Sequence, residues 1–201
     1  MSTAVRIAAR WVVALAFAFA CGVALSYGQT YAGDAVRPIF NSAAPVVAVA
    51  GIASLAARRA WTSAVLGGLA GPTLVAGYYV TAHLRGFDGS ASYIALWGTA
   101  GILFGAAMGI SSWLLRADVG AIWRGAAASL WPGIAIGEAW HGVARISDST
   151  PAAYWWTQAA IGATVLLTLA AWRVPTWIAR ALAVVSTAAI AAGVFVLYGS
   201  V

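Results

Sequence analysis

The chain has 201 residues, of which 63% are hydrophobic and 8% charged, and its mean hydropathy is +0.88. Soluble domains are about a quarter charged, so this composition excludes a water-soluble surface, and its hydrophobicity excludes disorder. The formal charge of +6 is that of eleven arginines against five acids, and the arginines are scattered along the sequence with no basic patch among them. That removes nucleic acid as a partner and leaves the charges to report orientation in a membrane.

A hydrocarbon core about 30 Å thick takes roughly 20 apolar residues per helix. Seven apolar stretches fit that length, residues 7–27, 39–57, 61–83, 92–115, 121–140, 153–172 and 177–198, so residues 1–201 read as a single transmembrane domain. The first follows Arg6, has Arg10 near its start and contains the single Cys21, which excludes an intrachain disulfide and a thiolate metal site. Its alternative reading is a signal peptide cut after Ala24-Leu25-Ser26, against which Trp11 and Tyr27 look like interfacial anchors. The loop after it carries Asp34-x-x-Arg37, and Arg58-Arg59 alone separate the second stretch from the third.

The third stretch holds Pro72, Gly77, Tyr78, Tyr79 and His83, and Arg85-Gly86-Phe87-Asp88-Gly89-Ser90 after it reads as a tight turn. On the fourth, Gly101, Gly105 and Gly109 recur every four residues, as do Gly133 and Gly137 on the fifth. Small residues on one helix face let backbones approach closely, which predicts packing within the monomer. The fifth stretch carries Glu138 near its end, followed by His141, Arg145 and Asp148. Pro175 separates the sixth from the seventh, which ends at Tyr198.

Counting arginines on alternate sides puts Arg6, Arg10, Arg58, Arg59, Arg116, Arg124, Arg173 and Arg180 on one side with Asp118. The other side holds Arg37, Arg85 and Arg145 with Asp34, Asp88, Glu138 and Asp148, a division of +7 against −1. The positive side is expected to be cytoplasmic, with the N-terminus in and the C-terminus out. All seven tyrosines fall at the outer ends and six of the tryptophans at the inner ends, which supports seven spans over the alternative of six. The expected class is an all-α polytopic transmembrane helix bundle of the cell membrane.

A shift of 60 residues matches Pro72 with Pro132, Gly77 with Gly137, Arg85 with Arg145 and Asp88 with Asp148. Read as a parallel duplication, this gives three hairpins plus a terminal helix.

The outer ends collect the polar chemistry. The Arg/Asp pairs three apart read first as local ion pairs, worth about 0–1 kcal/mol when exposed. Glu138 is different, because it follows the Gly133/Gly137 face and a carboxylate inside the bundle needs a cation or water. Arg85 and Arg145 are the cations on that side, and His141 shares a helix face with Glu138. The candidate ligand-binding set is Glu138, His141, His83, Arg85, Arg145, Tyr78 and Tyr79. Carboxylate-bridged metal bundles need two E-x-x-H motifs and two more carboxylates, and only one motif is present. No lysine is available for a retinal Schiff base, and neither G-x-S-x-G nor a phosphate loop occurs. No metal, cofactor or catalytic residue is expected.

Asn41-Ser42-Ala43-Ala44-Pro45, Gly77-Tyr78-Tyr79 with Arg85-Gly86-Phe87, Gly101-x3-Gly105 and Glu138-Ala139 resemble a family of small bacterial multi-pass membrane proteins. That family is known only as a domain of unknown function, and the resemblance implies a membrane location and nothing about activity. It covers residues 10–170. The first expectation is therefore a membrane protein binding or passing a small solute through a polar cavity at its extracytoplasmic end. The alternative is a structural or accessory subunit docking a partner, with an intramembrane redox protein or enzyme as a remote third. The expected partners are the lipid bilayer and, in the first reading, that solute; the oligomeric state is left open.

Overall fold

The structure is a computed structural model describing residues 2–200, and among these it holds seven α-helices and one short 3-10 helix, with no strand. The helices are α1 (Thr3–Tyr31), α2 (Ala43–Ser54), α3 (Ala60–Leu84), α4 (Ala91–Leu114), α5 (Ala121–Arg145), α6 (Ala152–Arg173) and α7 (Trp177–Tyr198). Four of them, α1, α3, α4 and α7, are long and apolar enough to cross a membrane. With 25 and 22 residues, α5 and α6 have the length, but Glu138, His141 and Gln158 make them more polar.

The helix starts follow local chemistry. The Ser2 hydroxyl accepts the Val5 amide at 3.4 Å, and the Thr176 hydroxyl accepts that of Ala179 at 3.4 Å, satisfying amides that lack a turn below them. After α3 the chain turns through Gly86, whose φ of 81° lies where glycine has no Cβ penalty, and the Phe87 amide reaches back to the Ala82 carbonyl at 3.0 Å. The expected turn is present.

One expected span is shorter. Residues 39–57 were expected to cross as one helix, but the chain forms a 3-10 turn over Arg37–Asn41 and then the twelve-residue α2. At 1.5 Å per residue α2 is about 18 Å long, well short of the hydrocarbon thickness. Pro38 near the start of the 3-10 turn and Pro45 in the first turn of α2 are the local cause, since proline fits the beginning of a helix and not its interior.

The chain divides into two compact units: Met1–Ala32 with Pro45–Trp113, and Gly33–Ala44 with Leu114–Val201. In the first, α3 lies parallel to α1 and antiparallel to α4. Gly77 abuts the Phe19 carbonyl and Gly22 that of Leu74, while Gly101, Gly105 and Gly109 of α4 face Gly71, Gly67 and Ser63 of α3. The backbones are so close that a Cβ at Gly67, Gly71 or Gly77 would overlap a carbonyl oxygen. The glycine repeat on the fourth stretch is thus an intramolecular seam. Ala14, Ala18, Ala50, Ala53, Leu66, Ala70 and Leu74 form the core beside it.

In the second unit α5 lies parallel to α7, with Gly125, Gly133 and Gly137 against Ala179, Thr187 and Ala191, and antiparallel to α6 through Gly142 against Trp155. Its core is Ala128, Leu166, Val174, Ala179 and Ala183. Each unit is therefore built on a 25-residue helix with an internal proline, Pro72 or Pro132. Gly77 and Gly137 both press on a carbonyl of the parallel neighbour. Arg85 and Arg145 both lie over an aromatic ring of that neighbour, Tyr27 at 4.5 Å and Phe195 at 5.8 Å. The 60-residue correspondence is expressed in these shared contacts. The parallel partner precedes the proline helix in one unit and follows it in the other.

Candidate functional site

Glu138 projects from the α5 face shared with Ala135 and Gly142, about 100° round the helix from Gly137, and it is only 3% exposed. Its carboxylate accepts five hydrogen bonds. The Ala43 amide at 2.7 Å and the Tyr198 hydroxyl at 2.8 Å reach Oε1. The Ser42 hydroxyl, the Ala44 amide at 3.1 Å and the Gln158 side-chain amide at 3.0 Å reach Oε2. A carboxylate offers about four lone-pair sites, so this one is saturated.

The donors come from three places in the chain. Ser42, Ala43 and Ala44 lie at the start of α2, whose first amides lack intrahelical acceptors and carry the positive end of the helix dipole. Gln158 comes from α6 and is fixed from both ends: its NH2 also donates to the Ala135 carbonyl at 3.1 Å, and its carbonyl accepts the Tyr154 hydroxyl at 2.6 Å. Tyr198 comes from the last turn of α7. Trp131, one helix turn from Ala135, ties the same region down by donating to the Ala44 carbonyl at 2.9 Å. Ser42 has one proton to give, and it goes to Glu138; the Gln158 carbonyl 3.2 Å from Ser42 takes its hydrogen bond from Tyr154.

An arginine was expected to neutralise Glu138, but among the described residues every hydrogen-bond partner of the carboxylate is neutral. Arg85 spends its donors within the first unit, on the Ser26 carbonyl at 2.8 Å, the Ser26 hydroxyl at 2.6 Å, the Thr30 hydroxyl at 2.9 Å and the Thr81 carbonyl at 3.2 Å. Arg145 lies over the Phe195 ring. Of the three Arg/Asp pairs expected to be local, Arg37 and Asp34 meet at 3.0 Å, whereas Asp88 takes His83 at 3.0 Å. Arg85 turns to α1 because three oxygens there and the Tyr27 face lie within its reach, more than one exposed carboxylate offers.

Within each unit the expected residues form local groups. His141 stands three residues beyond Glu138, with its ring 5.4 Å from that of Tyr198 and 6.0 Å from that of Phe195, and its Nδ1 is buried without a hydrogen-bond partner. In the first unit Tyr78 and Tyr79 stack edge to face at 5.2 Å, and His83 and Asp88 form an exposed pair. Among the described residues no three His, Cys, Asp or Glu side chains converge as metal ligands. Sequence reasoning missed Ser42, Tyr154, Gln158 and Tyr198. Gln158 carried the one available signal, a primary amide in the middle of an apolar stretch.

The whole chain, residues 1–201, matches the family of unknown function DUF6518, and the protein belongs to that family. The match takes in α7, beyond the residues 10–170 that carry the motifs noted in the sequence. No curated protein and no solved structure matches the chain.

Proposed function

We propose that this member of the DUF6518 family is a multi-pass protein of the cell membrane that binds or passes a small solute where Glu138 meets the start of α2. The eight-arginine side faces the cytoplasm in this reading, following the positive-inside rule. The observation that supports it is a fully buried carboxylate held only by neutral donors, two of them main-chain amides at the start of a helix too short to span.

A helix N-terminus is a ready anion site, and broken helices in secondary transporters present that end to an anionic substrate group. Here the protein's own carboxylate occupies the position. A buried arginine partner would be left uncompensated if Glu138 withdrew, at a cost of several kcal/mol. Hydroxyls and amides can pass to solute oxygens or water with far less penalty. Glu138 acts as the resident anion, Ser42, Gln158 and Tyr198 as exchangeable donors, and His141 with its unpaired nitrogen as the adjoining polar wall. The same saturation favours a second reading, in which Glu138 is a permanent tie and the protein an accessory subunit.

A thermal-shift series separates the two. Purified protein is heated with graded carboxylates, phosphate and neutral polyols, as wild type and as Glu138→Gln. One chemical class is expected to raise the wild-type unfolding temperature, since a ligand at 100 times its Kd adds about 2.7 kcal/mol, and Glu138→Gln is expected to abolish the response. If no compound moves the wild type and Glu138→Gln is merely less stable, the tie reading replaces the solute reading.

A further inference from the structure

A second site lies in the first unit, where a groove of about 500 Å³ runs between α1 and α2. Val13 and Phe17 form part of one wall and Ile52, Ala53 and Ala56 of the other, and Arg10 stands at the end nearest the start of α1. We infer that this groove holds one acyl chain of an anionic phospholipid, with the headgroup phosphate on Arg10. The inference rests on the membrane reading and is independent of the Glu138 site.

Charge and shape together select the occupant. The first unit contains Arg6, Arg10, Arg58, Arg59 and Arg85 but a single acid, Asp88, which is engaged by His83. Arg85 is consumed by Ser26, Thr30 and Thr81. Arg6 and Arg10 are one helical turn apart, and Arg58 and Arg59 immediately precede α3, which runs parallel to α1. All four cations therefore gather at one end of the unit with no acid of that unit to answer them. Basic pockets between transmembrane helices on that kind of surface bind anionic headgroups. The groove walls are apolar side chains, which suit a hydrocarbon chain and would gain nothing from a water-soluble anion. Among the described residues, Arg10 is the charged side chain that belongs to both the groove and the cluster.

The test uses full-length protein reconstituted in bilayer discs and then read by native mass spectrometry in detergent with added dioleoyl phosphatidylglycerol or phosphatidylcholine. Wild type is expected to retain phosphatidylglycerol in preference to phosphatidylcholine, and excess inorganic phosphate is expected not to displace it. Arg10→Gln should reduce that preference about fivefold, the share of one interfacial cation, without changing phosphatidylcholine retention. Ala56→Phe, which fills the groove from its rim, should lower retention of both lipids. Equal retention of the two lipids by wild type, or an undiminished preference in Arg10→Gln, overturns the site. Failure of the protein to enter discs would overturn the membrane reading itself.

Discussion

Removing one hydroxyl tests whether the five-fold coordination of Glu138 carries stability. In Tyr198→Phe the ring stays against His141, 5.4 Å between centroids, while the bond to Oε1 at 2.8 Å is lost. A hydrogen bond to an ionised group is worth about 1.5–3 kcal/mol, and Oε1 keeps the Ala43 amide at 2.7 Å. The lower figure, about 1.5 kcal/mol, is therefore expected. For a chain of this size that corresponds to a fall of about 3–6 °C in unfolding temperature. Glu138→Gln has one carbonyl oxygen for five donors. If that oxygen serves Ser42, Ala44 and Gln158, the Ala43 amide is stranded at a cost of about 1–3 kcal/mol. In that background Tyr198→Phe should cost less than about 0.5 kcal/mol, a coupling of about 1 kcal/mol between the two positions. The assay is thermal unfolding of the four proteins followed by circular dichroism. If Tyr198→Phe costs the same with and without the carboxylate, the hydroxyl contributes by packing alone and the coordination argument fails.

The helix seams and the orientation give two further tests. Gly67→Ala should destabilise the first unit by about 1–3 kcal/mol, because its Cβ meets the Gly105 carbonyl; Gly193→Ala, with open space around it, should be neutral or stabilising by up to about 1 kcal/mol, and equal effects in thermal unfolding would refute the seam. With Cys21 first replaced by Ala, single cysteines at positions 59 and 118 should react with a membrane-impermeant maleimide only from the cytoplasmic face, and those at 34 and 148 only from outside. Labelling of both sets from one face would break the alternation on which the orientation depends.

The parts of this molecule that were legible in the sequence are those written as spacing. Gly101-x3-Gly105-x3-Gly109 announces a seam because close backbone approach needs the same face every turn, and the α3–α4 contact follows from it. Glu138 was legible as buried because it follows the Gly133/Gly137 face, although its side chain points about 100° away from that face, to α6 and the start of α2. Its partners were not, since Ser42, Gln158 and Tyr198 stand 96, 20 and 60 positions away and neutral donors leave no complementary charge to search for. Charge bookkeeping pointed to Arg85 and Arg145, whereas backbone amides at a helix start are invisible to composition. The break in the second stretch was legible only as Asn41-Ser42 and Pro45, which hydropathy averages away while helix-start chemistry reads directly.

The coordination of Glu138 also fixes an order of assembly. The start of α2 leaves the ribosome early, but its amides have no carboxylate until α5 is made, and the Tyr198 donor belongs to the last helical residue of α7. The first turn of α2 therefore waits for its protein acceptor until α5 has been made, and for the complete set of donors until α7 has been made. A chain interrupted just before Tyr198 has every apolar helix but an incomplete clasp, so the final turn of α7 is the step that closes it.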